Sequence, residues 1–371
     1  MEEKMKKVMK AIIASVLSCC LIGSLGVNVV LLQKSQRQND KVNSFISGQL
    51  ARQADEMKKE NTYQEDGFKV GEQYEIKSTK AISDAYISGD ESKLSEEDKK
   101  TLKMAKDILK KIIKKDMTGY EKEEAVYSWM FKNIGQGDSS VVSMPGTTGE
   151  NYTPASVLTG RTAVCVGYAT TFRMFMQMLG FECHIVHNDY HSWDLVKMDD
   201  GSWYHTDIYT DVSNGSQYRN FNMTDAFARR EHEWDSSCLP EADGTKYTYA
   251  MQHHKELKNI YEVPAQLKKA IDKKKNSMFF NFKSLTKKEM KAADVMVNQA
   301  NKAISTLGLD NNNISADWYE GENNSYILGV YVFDYSDSGS NENMDTKVRD
   351  KMTDKVNKAF GTSLEPGAWN E

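Results

Sequence analysis

The sequence predicts an α+β fold in which helices come first and antiparallel strands follow. Between about residues 95 and 180, apolar side chains recur at three- and four-residue steps, which is the spacing of one helix face. Beyond that point, short strand-like runs are separated by turn residues. From about residue 264 strands and helices start again, which predicts a second, smaller α+β domain.

Four helices are predicted in the first domain, and local signals mark several of their ends. Ser95 begins a capping-box pattern, Thr153 before Pro154 marks the start of a short helix, and Gly180 is placed to end the last one. The predicted helices run from Ser95 to Ile112, from Tyr120 to Ile134, from Pro154, and from Cys165 to Leu179.

The strands of the first domain are predicted to form an antiparallel sheet. They lie at Phe181–Val186, His191–Met198 and Trp203–Tyr209, and Asp199-Asp200-Gly201 supplies the hairpin turn between the last two. The second domain is predicted to be βαββα. Its strands lie near Met278–Phe282, Ile314–Tyr319 and Tyr326–Tyr335, and its helices at Lys287–Leu307 and Met344–Phe360.

Length and composition set the outer limits. A chain of 371 residues can hold two domains, or one domain with a large appendage, and 39% hydrophobic with 27% charged residues is typical of a globular protein. The net charge of -5 argues against nucleic-acid binding, which requires a strongly basic domain. Five cysteines are too few for a disulfide framework in a chain of this length.

The N-terminus predicts attachment to a membrane. A Lys-rich start is followed by Ala11 to Leu32, 22 residues without a charge, which is long enough to cross a bilayer as a helix. The positive flank predicts a cytoplasmic N-terminus and an extracellular remainder, in a single-pass protein of the cell membrane. The alternative is a secreted protein after signal cleavage, or a lipoprotein cleaved before Cys19.

The predicted organisation has five parts. They are a cytoplasmic tail (1–10), a transmembrane signal-anchor (11–32), a polar stalk (33–72), the first domain (73–263) and the C-terminal α+β domain (264–371).

Cys165 begins the predicted central helix, and this position suits a nucleophilic thiol. Thiols react as thiolates, and a helix N-terminus with a nearby imidazolium lowers the pKa of a thiol. Gly167 leaves backbone room for a substrate, His191 starts a strand, and Asp207 follows sixteen residues later in the same hairpin. Taken singly, each of the three polar residues also has an ordinary structural explanation, such as a buried thiol or a solvated carboxylate.

The register of the hairpin decides whether His191 and Asp207 can meet. A two-residue loop at Asp200-Gly201 would place Asp207 opposite Asp194, on the wrong face. A three-residue loop with Gly201 in the left-handed region places Asp207 opposite Trp193, on the face of His191. His191 and Asp207 then become diagonal neighbours, so that Asp207 can hold the imidazole in its tautomer while the other ring nitrogen serves Cys165.

Three motifs carry a resemblance to a known family. They are Ala163-Val164-Cys165-Val166-Gly167-Tyr168-Ala169, then His191-Ser192-Trp193-Asp194, then Asp200-Gly201-Ser202-Trp203-Tyr204-His205-Thr206-Asp207. In this order they closely resemble the bacterial transglutaminase-like superfamily, whose pattern is Cys-x-Gly-Tyr-Ala, His-Ala-Trp-Asn and Asp-Gly-x-Trp-Tyr-x-x-Asp. The resemblance covers about residues 77–263. Ser192 and Asp194 depart from the commoner Ala and Asn, and Asp194 is predicted to point away from the other motif residues.

The resemblance implies a papain-like core and a Cys-His-Asp triad, with Cys165 as nucleophile, His191 as base and acid, and Asp207 as the group that orients His191. The expected activity is extracytoplasmic acyl transfer on peptide or amide substrates through a thioester, as a cysteine peptidase or amidase or as a transglutaminase-like transferase. Protein or cell-wall peptides are the expected partners. The alternative is a non-catalytic module that binds peptide or cell-wall material.

The remaining candidates concern the cleft and metal binding. Gly167, Tyr168, Trp193 and Trp203 are predicted to line the substrate cleft, although core packing explains the two tryptophans equally well. Neither a cofactor nor a metal is predicted. His184, His187, His191 and His205 cluster in the sequence, but the first two straddle a strand end and should face opposite sides.

Overall fold

A computed structural model describes residues 63–71, 73–137, 151–308, 313–321, 325–333 and 345–366. The described residues from 64 onward form one compact unit. The predicted tail and membrane span lie outside the described residues, as does most of the predicted stalk. None of the helices in the described ranges combines the length and the apolar character that a bilayer crossing requires.

Five helices build the first half of the compact unit, and side-chain caps start three of them. Ser95, Thr118 and Thr153 each accept a hydrogen bond from the backbone N–H three residues on. The helices are α1 (Lys80–Ser88), α2 (Glu96–Ile112), α3 (Gly119–Asn133), α4 (Pro154–Gly160) and α5 (Cys165–Met178). Predictions for α2 to α5 are confirmed to within two residues at the ends that were given, whereas α1 was not predicted.

Helix α5 lies at the centre of the larger hydrophobic core. Nearly all of its residues are buried, because it packs against helices on one side and against a sheet on the other. Phe172 and Phe175 are fully buried in this core. Gly180, with φ at 89°, follows the helix end, as predicted.

Short strands precede this sheet. Strand β1 (Lys69–Val70) pairs antiparallel with β2 (Tyr74–Glu75), and β3 (Gly135–Gln136) pairs parallel with β4 (Thr162–Ala163). Residues of the predicted stalk thus belong to the compact unit. Arg173 of α5 forms ion pairs with Glu65 and Asp66, so the packed region begins before residue 73.

The main sheet of the first half is antiparallel, in the order β5 (Cys183–His187), β6 (Ser192–Lys197), β7 (Trp203–Thr206). Asp194 lies opposite Thr206, and the loop of three residues has Gly201 at φ 83°. This confirms the three-residue register, and continuing it by one residue places Asp207 opposite Trp193.

The third strand ends earlier than predicted. Instead of continuing to Tyr209, the chain leaves the sheet after Thr206 and enters α6 (Ile208–Asn214). Asp207 is the N-cap of this helix, and its side chain accepts a hydrogen bond from the N–H of Thr210. The prediction of strand over 207–209 was wrong because the capping capacity of Asp207 favours a helix start there.

The C-terminal part confirms the order βαββα and adds elements to it. The adjoining segments are α7 (Asp225–Ala228), α8 (Tyr249–His253), β8 (His254–Glu256), a 3₁₀ turn (Ile260–Glu262) and α9 (Val263–Asp272). The predicted elements follow as β9 (Ser277–Phe282), α10 (Lys287–Thr306), β10 (Asn313–Glu320), β11 (Tyr326–Phe333) and α11 (Thr346–Phe360). The sheet order is β10-β11-β9-β8. The domain boundary at 263/264 stays a prediction.

Candidate active site

Cys165 is the first residue of α5, where the sequence placed it. The preceding residue, Val164, has an extended backbone and is the N-cap of this helix. Only 8% of Cys165 is exposed. A thiol at this position feels the positive end of the helix dipole, which favours a negative sulfur.

His191 lies at the end of a tight turn, immediately before β6. The side-chain oxygen of Asn188 accepts hydrogen bonds from the backbone N–H groups of Tyr190 and His191, at 3.0 and 2.8 Å. This turn fixes the backbone from which the imidazole projects. The ring is buried, with 9% of the residue exposed.

The structure brings the three predicted residues together. His191 Nε2 lies 2.7 Å from Asp207 Oδ2. The Cys165 sulfur lies near enough to the same imidazole to raise its pKa. Since Nε2 is engaged by the carboxylate, Nδ1 is the ring nitrogen left for the sulfur.

Asp207 is held ionised in the interior. Its Oδ1 accepts from the N–H of Thr210 at 3.0 Å, and its Oδ2 accepts from the Thr210 hydroxyl at 2.7 Å. Burial alone would raise the pKa of Asp207, but the charge and hydrogen bond of His191 outweigh it and hold that pKa well below its ordinary value.

The electrostatics favour a protonated imidazole. Burial lowers the pKa of His191, but the Asp207 carboxylate and the Cys165 sulfur more than offset this, raising it to about 10. An imidazolium beside a sulfur stabilises a thiolate, because neighbouring groups of opposite charge favour each other's ionised forms. The arrangement can therefore hold a thiolate–imidazolium pair with a buried counter-charge behind it.

One buried residue at this site, His232, was missed by the sequence predictions. Its Nε2 lies 3.2 Å from Asp207 Oδ2. Its ring stacks on Trp193, with centroids 4.6 Å apart, and lies 5.2 Å from the ring of His191. His232 lies in a segment without helix or strand periodicity, so no pattern in the sequence pointed to it.

His191, Asp207 and His232 also form a potential metal-binding group. Within the described part of the chain, His191, Asp207 and His232 are the one set of three such residues whose ligand atoms lie within 4.8 Å of one another. A metal ion held by His191 Nε2 and Asp207 Oδ2 would take the place of the 2.7 Å hydrogen bond between these two atoms.

Trp193 connects this cluster to a second buried chain of hydrogen bonds. Its indole N–H donates to His205 Nδ1 at 3.0 Å, and His205 Nε2 donates to Asp225 at 2.8 Å. Burial lowers the pKa of His205, and Asp225 opposes this only in part. A neutral His205 with its proton on Nε2 satisfies both contacts.

The predicted cleft residues mostly face protein. A Cβ on Gly167 would lie 2.3 Å from the carbonyl oxygen of Asn151, so the missing side chain makes room for the backbone. Tyr168 donates to the carbonyl of Ile134 at 2.6 Å, Trp193 is 1% exposed, and Trp203 stacks on His184. Their roles in substrate binding stay predictions.

Asp194, one of the two departures from the family pattern, points away from His191. It lies on the other face of β6, where the Cys183 thiol donates to it at 3.7 Å. Burial raises the pKa of Asp194 well above its ordinary value. Burial therefore favours the neutral form of this side chain, which faces away from Asp207.

Comparisons with known proteins agree with the motif assignment. A family model described as "Transglutaminase-like superfamily" matches residues 106–208. No curated protein matches the chain. A solved structure described as "Crystal structure of a TGase" is 17% identical over 33% of this chain, at a TM-score of 0.25, and this likeness supports no further conclusion. The chain spans about a third of that structure's length, since 35% of it is covered. The segment that this family model matches, residues 106–208, contains Cys165, His191 and Asp207.

Proposed function

We propose that this domain performs thiol-dependent acyl transfer on peptide or protein amides. The observation that supports this most is the buried 2.7 Å contact between His191 and Asp207, with Cys165 at a helix N-terminus near the same imidazole. This geometry supplies a nucleophile, a proton carrier and a fixed counter-charge.

The proposed reaction has two stages. The Cys165 sulfur attacks the amide carbon, and the carbonyl oxygen takes up the displaced electron pair. His191 then gives its proton to the leaving nitrogen as the C–N bond breaks, which leaves a thioester. In the second stage neutral His191 takes a proton from water or from a lysine amine, which attacks the thioester and frees the sulfur.

The tetrahedral intermediate requires donors for its oxygen. The backbone N–H of Cys165 is suited to this role, because the first N–H groups of a helix have no carbonyl partner within the helix. Water as the acceptor gives a cysteine peptidase or amidase, and an amine as the acceptor gives a transglutaminase-like transferase. We propose an extracellular placement, with the uncharged segment 11–32 as anchor and cell-wall peptides among the substrates.

A second candidate function is a non-catalytic module that binds peptide or cell-wall material. One observation favours it: Cys165 and His191 are only 8% and 9% exposed, so the sulfur is nearly covered. A substrate would reach Cys165 only after a local rearrangement, whereas a binding partner could bind elsewhere on the surface.

Incubation of residues 33–371 with a peptide library, with and without a primary amine, separates these functions. The matched control is Cys165→Ala, and products are identified by mass spectrometry. Cleaved or amine-tagged peptides that disappear in the control support the enzyme and distinguish hydrolase from transferase. Peptides that are retained but unchanged would support the binding module instead.

A further inference from the structure

His232 places a ring nitrogen against the carboxylate that orients His191. The Nε2–Oδ2 distance to Asp207 is 3.2 Å, and both side chains are buried, with 7% and 1% exposed. His232 Nε2 is not within hydrogen-bond geometry of any partner in the described residues. The carboxylate is therefore the group that stabilises this buried nitrogen electrostatically.

Two structural features orient the His232 ring. It stacks on Trp193 at an interplanar angle of 25°, and the Trp193 indole is itself held by its hydrogen bond to His205. The preceding residue, Glu231, pairs with Arg219. The His232 imidazole therefore contacts Asp207 while it is stacked on the Trp193 indole, which is itself held in place.

The other contacts of Asp207 come from segments of the chain other than the one that contains His232. Thr210, one turn into α6, donates to both carboxylate oxygens. His232 comes from a separate segment that follows α7 and approaches Oδ2, the oxygen that also accepts from His191. Thr210 of α6 and His191 before β6 already contact this carboxylate, and His232 adds a third segment that restricts its motion.

We propose that His232 is a positioning residue of the proposed acyl-transfer site: its Nε2–H lies against Asp207 Oδ2 at 3.2 Å and, by electrostatic attraction, keeps this carboxylate aimed at His191. The inference rests on the proposed function. His232 lies against Asp207 and beside the ring of His191, so it acts through these residues, and the Nε2–H, rather than the stacked ring, is the part that matters.

Two variants separate the N–H donor from the stacked ring. His232→Gln keeps an N–H donor and loses the stack on Trp193, whereas His232→Phe keeps a ring on Trp193 and loses the donor. In the Phe variant kcat falls roughly tenfold with KM nearly unchanged, as is common when an orienting contact behind a reactive group is removed. Alkylation of Cys165 slows at pH 6 by a similar factor but not at pH 9. The Gln variant stays close to the wild type in both measurements.

A packing role gives different results. If both variants are equally impaired, or if only His232→Gln is impaired, the stacked ring is what matters and the proposal is wrong. Wild-type behaviour of His232→Phe also overturns it. The matched control is His253→Phe, which replaces a histidine stacked on Tyr249, outside the candidate site, and leaves the pH dependence of alkylation unchanged.

Two measurements on the unmodified protein need no folded variant. Long-range ¹⁵N–¹H NMR of the His232 ring shows a proton on Nε2 from pH 5 to 8, and a proton on Nδ1 alone contradicts the proposal. Dialysis against a chelator leaves Cys165 reactivity unchanged. If chelation abolishes that reactivity and Zn²⁺ restores it, His232 is a metal ligand instead. Absence of both turnover and low-pH alkylation in the wild type refutes the proposed function itself, whereas wild-type activity with an unaffected Phe variant refutes this inference alone.

Discussion

Asp207 has two roles, one in the cap of a helix and one in the candidate active site. It caps α6 through the N–H of Thr210, and it accepts from His191 at 2.7 Å. The cap requires only a side-chain oxygen, which Asn also has, whereas stabilising an imidazolium requires a charge. The two roles can therefore be separated by a single isosteric substitution.

Asp207→Asn should leave the fold nearly intact and remove the activity. The amide oxygen still caps α6, but the neutral side chain no longer stabilises protonated His191. We expect turnover to fall by about 10⁴-fold, as when the acid of a comparable triad is neutralised. Turnover, Cys165 alkylation at pH 6 and thermal unfolding test this. Asp207→Ala, which also lacks the cap, serves as the comparison and should unfold about 1 kcal/mol more easily. Wild-type turnover in the Asn variant would contradict this role.

Glu123 gives the folded state a pH dependence that is separate from the site. Burial raises its pKa from 4.5 to about 8, and hydrogen bonds from Asn222 and Thr206 oppose this only in part. The folded chain therefore keeps a proton that the unfolded chain releases. The stabilisation from this proton is complete below about pH 4.5 and is lost as the pH rises through about 8.

Glu123→Gln should flatten this dependence, because the amide has no proton to lose. The free energy of unfolding of the variant should fall less between pH 5 and pH 9 than that of the wild type. Urea denaturation at several pH values measures this. Glu241→Gln, at an exposed position, is the control and should follow the wild type; parallel curves for all three proteins would count against a buried neutral Glu123.

The sequence located part of the site because that part is local. Cys165 could be placed at a helix start from apolar periodicity, and the hairpin register brought His191 and Asp207 to one face. His232 lies in a segment that follows α7 and carries no periodic pattern. Its contact with Asp207 depends on how that segment folds back over Trp193, which residue spacing does not encode.

At the scale of elements, the β6–β7 hairpin sets the spacing of His191 and Asp207. Its three-residue loop requires Gly201 at φ 83°, a region that other residues enter only at a cost. A change of loop length by one residue would move Asp207 to the opposite face of the sheet. The register was predictable because only one of the two loop lengths brings these side chains together.

Gly201→Ala tests this loop. No atom lies within 4 Å of a Cβ built there, so the cost comes from the backbone alone. We expect the free energy of unfolding to fall by about 1–2 kcal/mol. Gly160→Ala, where a Cβ would meet nothing closer than 4.0 Å and φ is not left-handed, should lose none. Chemical denaturation compares the two, and equal losses would show that φ at Gly201 is not the cause.

Other elements could not be predicted because local signals were weak or competed. No element was predicted for the Lys-rich segment before β9, yet it forms α9 with a buried face that includes Leu267 and Ala270. The end of β7 was placed too late, since Asp207 suits a helix cap while Ile208 and Tyr209 suit a strand. Tertiary packing decides both cases.

At the scale of the whole molecule, two large hydrophobic cores are joined by a polar and aromatic seam. Arg219 donates to Asp317 of β10 at 2.6 Å and also pairs with Glu231. Phe227 stacks on Tyr319, with ring centroids 4.8 Å apart. The segment between residues 219 and 231 therefore packs against the C-terminal sheet, and His232 follows directly after it.

Asp317→Asn should loosen this seam. The pair is mostly buried, with 16% of Arg219 and 18% of Asp317 exposed, so we expect a loss of about 1–3 kcal/mol of unfolding free energy. The exposed pair of Lys80 and Asp84 provides the control, because Asp84→Asn should change stability by less than about 0.5 kcal/mol. Calorimetry measures both. Equal effects would mean that the seam does not contribute to stability.

The central claim is that His191, held by Asp207, keeps Cys165 as a thiolate. The most direct test is the rate of Cys165 alkylation by iodoacetamide between pH 5 and pH 10, followed by intact mass on residues 33–371. The account predicts fast reaction already below pH 7 and loss of that low-pH reactivity in Asp207→Asn. A rate that rises only around pH ~8.5, as for an ordinary thiol, and is the same in both proteins would contradict it.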